Sequence, residues 1–170
     1  MRNKKVTFIT QAGVIAALYV VLTLLANALG LANYAIQVRF SEALTILPFF
    51  TPAAIPGLFV GCLLSNLITG CAPMDVVFGS LATLAGAVGT YQLRKYKWLT
   101  PVPPIVANVI VVPLVLAYVY QFEGSLLYFA FTVGIGEIIS CGVLGMVLLN
   151  VLSKYARQIF QIEEHQLSKI

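Results

Sequence analysis

The sequence predicts an all-α membrane protein, a bundle of six transmembrane helices with both termini in the cytoplasm. Of its 170 residues, 60% are hydrophobic and 9% are charged, whereas a soluble domain carries about 25% charged residues. Six apolar runs can be marked, at about 7–29, 41–51, 53–69, 76–93, 101–120 and 126–153. We expect one domain over residues 1–170, because spans of about 20 residues leave no room for another.

The first run follows a basic start, Met1–Lys5, which is typical of a secretory signal peptide. The apolar stretch that follows continues from Phe8 to Leu29 and has no Ala-x-Ala cleavage site. This is longer than the hydrophobic region of a signal peptide. We therefore expect a retained first span.

The second and third runs are separated and interrupted by Pro48, Pro52 and Pro56. Roughly 11 residues of α-helix reach only about 16 Å, so the second run is too short for a perpendicular span. Proline breaks a helix because it lacks a backbone donor and clashes with the preceding turn. We predict a tight helical hairpin around Thr51-Pro52; the alternative is one long broken helix and five spans.

The distribution of positive charge favours six spans. With the N-terminus inside, every basic residue except Arg39 then falls on the cytoplasmic side, as the positive-inside rule requires. With five spans, the cluster at 94–97 would lie opposite the N-terminal cluster. The outer loops are then 30–40, 70–75 and 121–125.

Arg39, Glu42 and Asp75 bracket the hydrophobic hairpin, and Glu137 lies near the middle of the last run. Charged groups beside or within membrane segments are costly, so each is a candidate functional residue. Structural explanations remain open: Asp75 could cap a helix, Glu42 could pair with Arg39 at the surface, and Glu137 could serve in structural hydrogen bonds. Together these residues predict a pocket open to the outside.

Glu137 follows Gly134 and Gly136, which suggests space for a cavity beside its carboxylate. Asn66 and Asn108 add amides that either bind a ligand or bridge helices. Ionised carboxylates accept hydrogen bonds from paired donors. The pocket therefore suits a ligand that offers a cation or several N–H groups.

The first outer loop alternates from Tyr34 to Phe40 like a short strand. Such a segment predicts a lid over the pocket or an ordinary loop. Tyr118, Tyr120 and Tyr128 are typical of an interfacial aromatic belt.

Ala12 and Ala16 lie one turn apart on the first span, with Gly57 and Gly61 spaced in the same way on the third run. Small residues let helices approach closely. Packing within the bundle explains both strips. The position of Ala12 and Ala16 in the cytoplasmic half also suits an external partner.

Catalytic and metal-binding motifs are absent from the sequence. It contains no phosphate-binding loop, no Gly-x-Ser-x-Gly elbow and no Cys-x-x-Cys pair, and its single histidine is His165. We expect neither an enzyme nor a bound metal or cofactor. Cys71 has no assigned role.

The stretch Val38–Pro48, with Gly57-x-x-x-Gly61, Ser65-Asn66 and Pro73-Met-Asp75, resembles the QueT family of substrate-binding S-components of energy-coupling-factor (ECF) transporters. The resemblance spans the whole chain, and Arg39–Leu44 is its specific part. It implies a subunit of the bacterial cell membrane that captures queuosine precursors, chiefly 7-aminomethyl-7-deazaguanine. It also implies partners, a membrane coupling protein and two cytoplasmic ATPases.

The resemblance implies that Ala12 and Ala16, in Ala-x-x-x-Ala form, contact the coupling protein. A deazaguanine offers a paired N–H edge and a cationic aminomethyl group, which call for two carboxylates. We expect Glu137 and Glu42 in these roles, with Asp75 as a further candidate. Phe40, Tyr34 or Tyr118 could supply an aromatic wall.

Three other functions compete with this interpretation. A stand-alone channel or secondary transporter would move its solute without ATP. A structural subunit would bind no ligand. An intramembrane enzyme is the weakest alternative, because the catalytic groups are missing.

Overall fold

The computed structural model describes residues 3–31 and 37–160, and all regular elements within these ranges are helical. In chain order they are α1 (Lys4–Ala28), a 3₁₀ helix (Phe40–Phe49), α2 (Ala54–Ile68), α3 (Pro73–Gln92), a 3₁₀ turn (Lys97–Leu99), α4 (Val102–Tyr118), α5 (Leu126–Glu137), a π-helical segment (Ile138–Leu144) and α6 (Gly145–Phe160). The prediction of an all-α protein is confirmed for this part of the chain.

Within residues 3–31 and 37–160, four helices are long and apolar enough to cross a membrane. They are Lys4–Ala28, Pro73–Gln92, Lys97–Tyr118 and Leu126–Ala156, and the last includes α5, the π-helical segment and most of α6. Two apolar helices, Phe40–Phe49 and Ala54–Ile68, are shorter. The count of six spans and the cytoplasmic position of the termini stay predictions.

Helix ends follow from local sequence. The side chain of Asn3 caps α1 by accepting a hydrogen bond from the Lys5 N–H at 3.1 Å, and Ser125 caps α5 in the same manner. Pro73 occupies the start of α3, where no intrahelical donor is needed. Gly70 ends α2 with a φ of +74°, a left-handed conformation that favours glycine.

The 3₁₀ helix lies antiparallel to α1 in the centre of the bundle. Near its start, the Thr23 hydroxyl donates to Ser41 at 2.9 Å; just beyond its end, the Thr51 hydroxyl donates to Gln11 at 2.9 Å. The segment descends along α1 in tighter winding than the expected α-helix. At roughly 2.0 Å per residue, its ten residues reach about 20 Å.

Helix α2 runs parallel to α1 and therefore opposite in direction to the 3₁₀ helix. A Cβ on Gly57 would lie 2.7 Å from the Ala12 carbonyl oxygen, and one on Gly61 would lie 3.0 Å from the Ala16 carbonyl oxygen. Only glycine permits this approach of the two backbones. The chain therefore reverses after Thr51, which confirms the predicted hairpin and argues against one broken helix.

All residues from Ser41 to Phe49 are buried, so the 3₁₀ helix is the core around which the longer helices pack. Its Ile46 joins Tyr19, Leu58 and Leu149 in one apolar cluster. At one end of the bundle, Phe50 stacks on Phe160 with ring centroids 5.0 Å apart. The opposite end, called the cavity end below, is open.

Candidate functional site

A cavity of about 710 Å³ occupies the cavity end, with walls from α1 to α5 and the connecting segments. Residues of all three loops predicted to lie outside contribute to it: Arg39 from the first, Cys71 and Asp75 from the second, and Phe122 from the third. The loops are far apart in sequence but meet at one end of the bundle. With its volume of about 710 Å³ and its buried polar side chains, this cavity is our candidate ligand site.

Asp75 and Asn66 form one polar wall of the cavity. Both side chains are buried, and they meet above Gly79 of α3. A Cβ built on Gly79 would lie 3.2 Å from Asn66 Nδ2 and 3.3 Å from Asp75 Oδ1. The absence of a side chain at Gly79 thus makes room for a neighbouring amide and carboxylate, which can together read a pattern of donors and acceptors.

Tyr120 holds Asp75 in position. Its hydroxyl donates to Asp75 Oδ2 at 2.8 Å and accepts from the Ala72 N–H at 3.1 Å. Burial raises the pKa of Tyr120 to about 12, with the Asp75 carboxylate adding to the effect and the Ala72 N–H opposing it. Ala72, rather than Asp75, occupies the N-cap position of α3, so Asp75 complements the helix dipole from the first turn.

Arg39 precedes the 3₁₀ helix and lines the cavity together with Gln37. The Arg39 N–H donates to Ser140 Oγ at 3.1 Å, and the guanidinium donates to Gln37 Oε1 at 3.4 Å. The bond to Ser140 fastens Arg39 to the π-helical segment, and the bond to Gln37 holds the guanidinium beside its own segment. The residues described there form no strand, and Tyr34, with the rest of 32–36 in the predicted lid, lies outside the described residues.

The aromatic wall differs from the predicted one. Phe40 does not line the cavity, and Tyr118 is 71% exposed. The lining aromatic residues are Tyr120, Phe122, Tyr128 and Phe129. Sequence reasoning assigned Tyr120 and Tyr128 to an interfacial belt, because their spacing at a helix end fits both roles.

Glu137 lies beside the cavity rather than in it. It lines an adjoining recess of about 10 Å³, which shares Gln37 and Arg39 with the cavity. The Asn108 amide donates to Glu137 Oε1 at 2.9 Å, and the Cys141 thiol donates to Glu137 Oε2 at 3.1 Å. Asn108 is thus a helix bridge and fixes the carboxylate at the same time.

Glu42 is further inside, 1% exposed, and accepts a short hydrogen bond from the Tyr19 hydroxyl. It is therefore not part of a surface ion pair with Arg39. Oxygens of Glu42 and Glu137 and the sulfur of Cys141 lie within 4.8 Å of one another, a spacing that a small cation could also use. Sequence alone gives Cys141 no role in the site, because 99 residues separate it from Glu42, whose carbonyl oxygen lies 3.4 Å from its sulfur.

Neighbouring parts of the protein pack directly against the two glycines that precede Glu137. A Cβ on Gly136 would clash with the Gln37 carbonyl oxygen, so this glycine admits the segment 37–39. Gly134 faces α4, where an added Cβ would lie 3.6 Å from Val109 Cγ2. The two glycines therefore serve helix and segment packing, and the space that the structure does show beside the Glu137 carboxylate is the small recess.

Ala12 and Ala16 face α2. Their backbones contact Gly57 and Gly61, and Ala16 is 8% exposed. Packing within the bundle accounts for this strip. The prediction that these two alanines also bind a coupling protein stays a prediction.

Comparison with known proteins identifies the family of this chain. Residues 9–154 match the family model described as QueT transporter. The curated protein "Queuosine precursor transporter QueT" of Lactococcus lactis subsp. cremoris (strain MG1363) is 34% identical over 98 residues, which cover 57% of this chain and 57% of that protein. No solved structure gives a significant match. With most of its length matched by the family model, this chain belongs to the QueT transporter family.

Proposed function

We propose that the protein is the substrate-binding membrane subunit, or S-component, of an ECF-type ABC importer, and that it captures 7-aminomethyl-7-deazaguanine. The observation that carries the proposal is the cavity of about 710 Å³, with a carboxylate, an amide and a guanidinium among aromatic walls, in a member of a transporter family. Sites for small molecules commonly measure about 300–1,000 Å³ and combine apolar walls with a few polar groups.

The cavity offers what a deazaguanine requires. Asp75 can accept two parallel hydrogen bonds from the ring N–H and the adjacent amino group, since each carboxylate oxygen has two lone pairs. Asn66 can donate to the ring carbonyl. Tyr120, Phe122 and Phe129 supply flat apolar surface for the ring.

The proposed partners are a membrane coupling protein and two cytoplasmic ATPases. Of the four long helices described, α1 is the least buried, with 22% of its apolar window covered. Gly13 and Ala17 are exposed on it, next to the Ala12–Ala16 strip. An external helix could therefore approach α1 closely. In the proposed orientation both termini of the protein are in the cytoplasm and the cavity faces outward.

Uptake by proteoliposomes tests the transport mechanism. We expect accumulation of labelled 7-aminomethyl-7-deazaguanine when the coupling protein, the ATPases and ATP are present, and none when ATP or the ATPases are omitted. A stand-alone secondary transporter or channel would instead give uptake by this protein alone. That result would overturn the ECF proposal and leave the ligand assignment standing.

A further inference from the structure

The site has two compartments of very different size. The cavity of about 710 Å³ accommodates a ring system, whereas the recess beside it measures about 10 Å³. A volume near 10 Å³ holds about one water-sized group. Gln37, Arg39 and Val112 line both compartments, so the cavity and the recess adjoin at these residues.

The inner compartment is acidic and incompletely satisfied. Glu137 lines the recess, and a carboxylate oxygen of Glu42 lies within 4.8 Å of one of its oxygens. Glu42 is 1% exposed, and its Oε2 has no hydrogen-bond partner among the described residues. Buried polar groups are nearly always paired, so an unpaired carboxylate oxygen indicates that a donor belongs there.

The charges around the two compartments favour a cation. Asp75 lines the cavity, Glu137 lines the recess, and a Glu42 oxygen lies within 4.8 Å of Glu137. Among the described lining residues Arg39 supplies the positive charge. Arg39 balances one carboxylate, and because an uncompensated buried charge is costly, the others are ionised only beside a further cation. A primary ammonium is water-sized, positively charged and has three donors.

From this geometry we infer that the recess is the subsite for the ligand's primary ammonium group. Glu137 contacts it directly and Glu42 supplies a second negative charge behind it, while Asp75 in the cavity reads the donor edge of the ring. The inference rests on the proposed function and assigns a different part of the ligand to each carboxylate. It makes Glu137 the residue that selects an aminomethyl substituent over a neutral one.

Three ligands that differ at one position provide the test: 7-aminomethyl-, 7-methyl- and 7-cyano-7-deazaguanine, titrated calorimetrically into the purified protein. A hydrogen-bonded charge pair is worth roughly 10- to 100-fold in affinity. The wild-type protein is expected to prefer the aminomethyl compound over the methyl compound by about this factor. In Glu137→Gln, which conserves size, the preference should fall to nearly one.

Asp75→Asn is the matched control. It should weaken binding of the aminomethyl and methyl compounds by a similar factor and leave their ratio unchanged. Retained binding of the methyl compound by Glu137→Gln shows that this variant is folded. If Glu137→Gln binds none of the compounds, Glu42→Gln provides the second variant, with a reduced preference expected.

Other outcomes overturn the inference in distinguishable ways. A preference that survives Glu137→Gln, or that disappears in Asp75→Asn, refutes the assignment of the recess. Equal binding of all three compounds by the wild-type protein refutes it as well, and the deazaguanine function stands. Failure of the wild-type protein to bind any of the three removes both.

Discussion

Alanine in place of Gly79 separates the ligand site from the stability of the fold. The new Cβ would lie 3.2 Å from Asn66 Nδ2 and 3.3 Å from Asp75 Oδ1, so both polar groups must shift by a few tenths of an ångström. Alanine is favoured over glycine within a helix by about 0.8–1.0 kcal/mol. We therefore expect weaker ligand binding without a loss of stability.

The expected loss in affinity is about tenfold, or roughly 1.4 kcal/mol, because two polar contacts are misaligned but not removed. Calorimetric titration with 7-aminomethyl-7-deazaguanine measures it, and thermal unfolding measures the Tm. Gly13→Ala is the matched control, since a Cβ there meets nothing within 4 Å. Wild-type affinity in Gly79→Ala would refute the placement of the ligand against Asn66 and Asp75.

Three further predictions concern packing, positioning and access. Gly57→Ala should lower the free energy of unfolding by about 1–3 kcal/mol, because its Cβ would lie 2.7 Å from the Ala12 carbonyl oxygen; an unchanged Tm would contradict this. Tyr120→Phe removes the hydroxyl between Ala72 and Asp75 and should lower the free energy of unfolding by about 1 kcal/mol, measured as a lower Tm. The control Tyr118→Phe changes an exposed side chain and should leave the Tm unchanged. Cys71 lines the cavity, so a membrane-impermeant maleimide should label it in whole cells, and the deazaguanine should protect it from labelling. Cys62 and Cys141 are buried, so labelling that persists in Cys71→Ser would refute this prediction.

The large features of the fold follow from residue chemistry that is visible in the sequence. Pro48, Pro52 and Pro56 each lack a backbone donor, and the chain does reverse after Thr51. Pro56 lies in the first turn of α2, where no intrahelical donor is needed. The charge distribution predicted three loops on one side, and residues of all three line one cavity. These predictions succeed because backbone chemistry and membrane electrostatics act locally or over whole spans.

Winding and close contacts could not be predicted. No residue pattern in Phe40–Phe49 distinguishes ten residues of 3₁₀ helix from a short α-helix. The same holds for the π-helical segment after Glu137. Gly136 looked like an opening and is filled by the Gln37 backbone, a contact between residues 99 positions apart.

The candidate site was predicted by residue type more than by arrangement. Asp75, Asn66 and Arg39 do line one cavity, since charged and amide groups in an apolar chain collect where they can be satisfied. The sequence carries no information on which carboxylate faces the cavity and which the recess. Glu42 and Glu137 meet because two helical segments pack together, and that packing emerges only in three dimensions.

Calorimetric titration of the purified protein with 7-aminomethyl-7-deazaguanine, compared with Asp75→Asn, is the decisive experiment for the proposed ligand site. We expect saturable binding to a single site, with guanine bound more weakly because it lacks the ammonium group. Asp75→Asn should weaken binding by about tenfold or more, since a charged hydrogen-bond acceptor is lost. Absence of binding by any purine, or full affinity in Asp75→Asn, would contradict the proposed site.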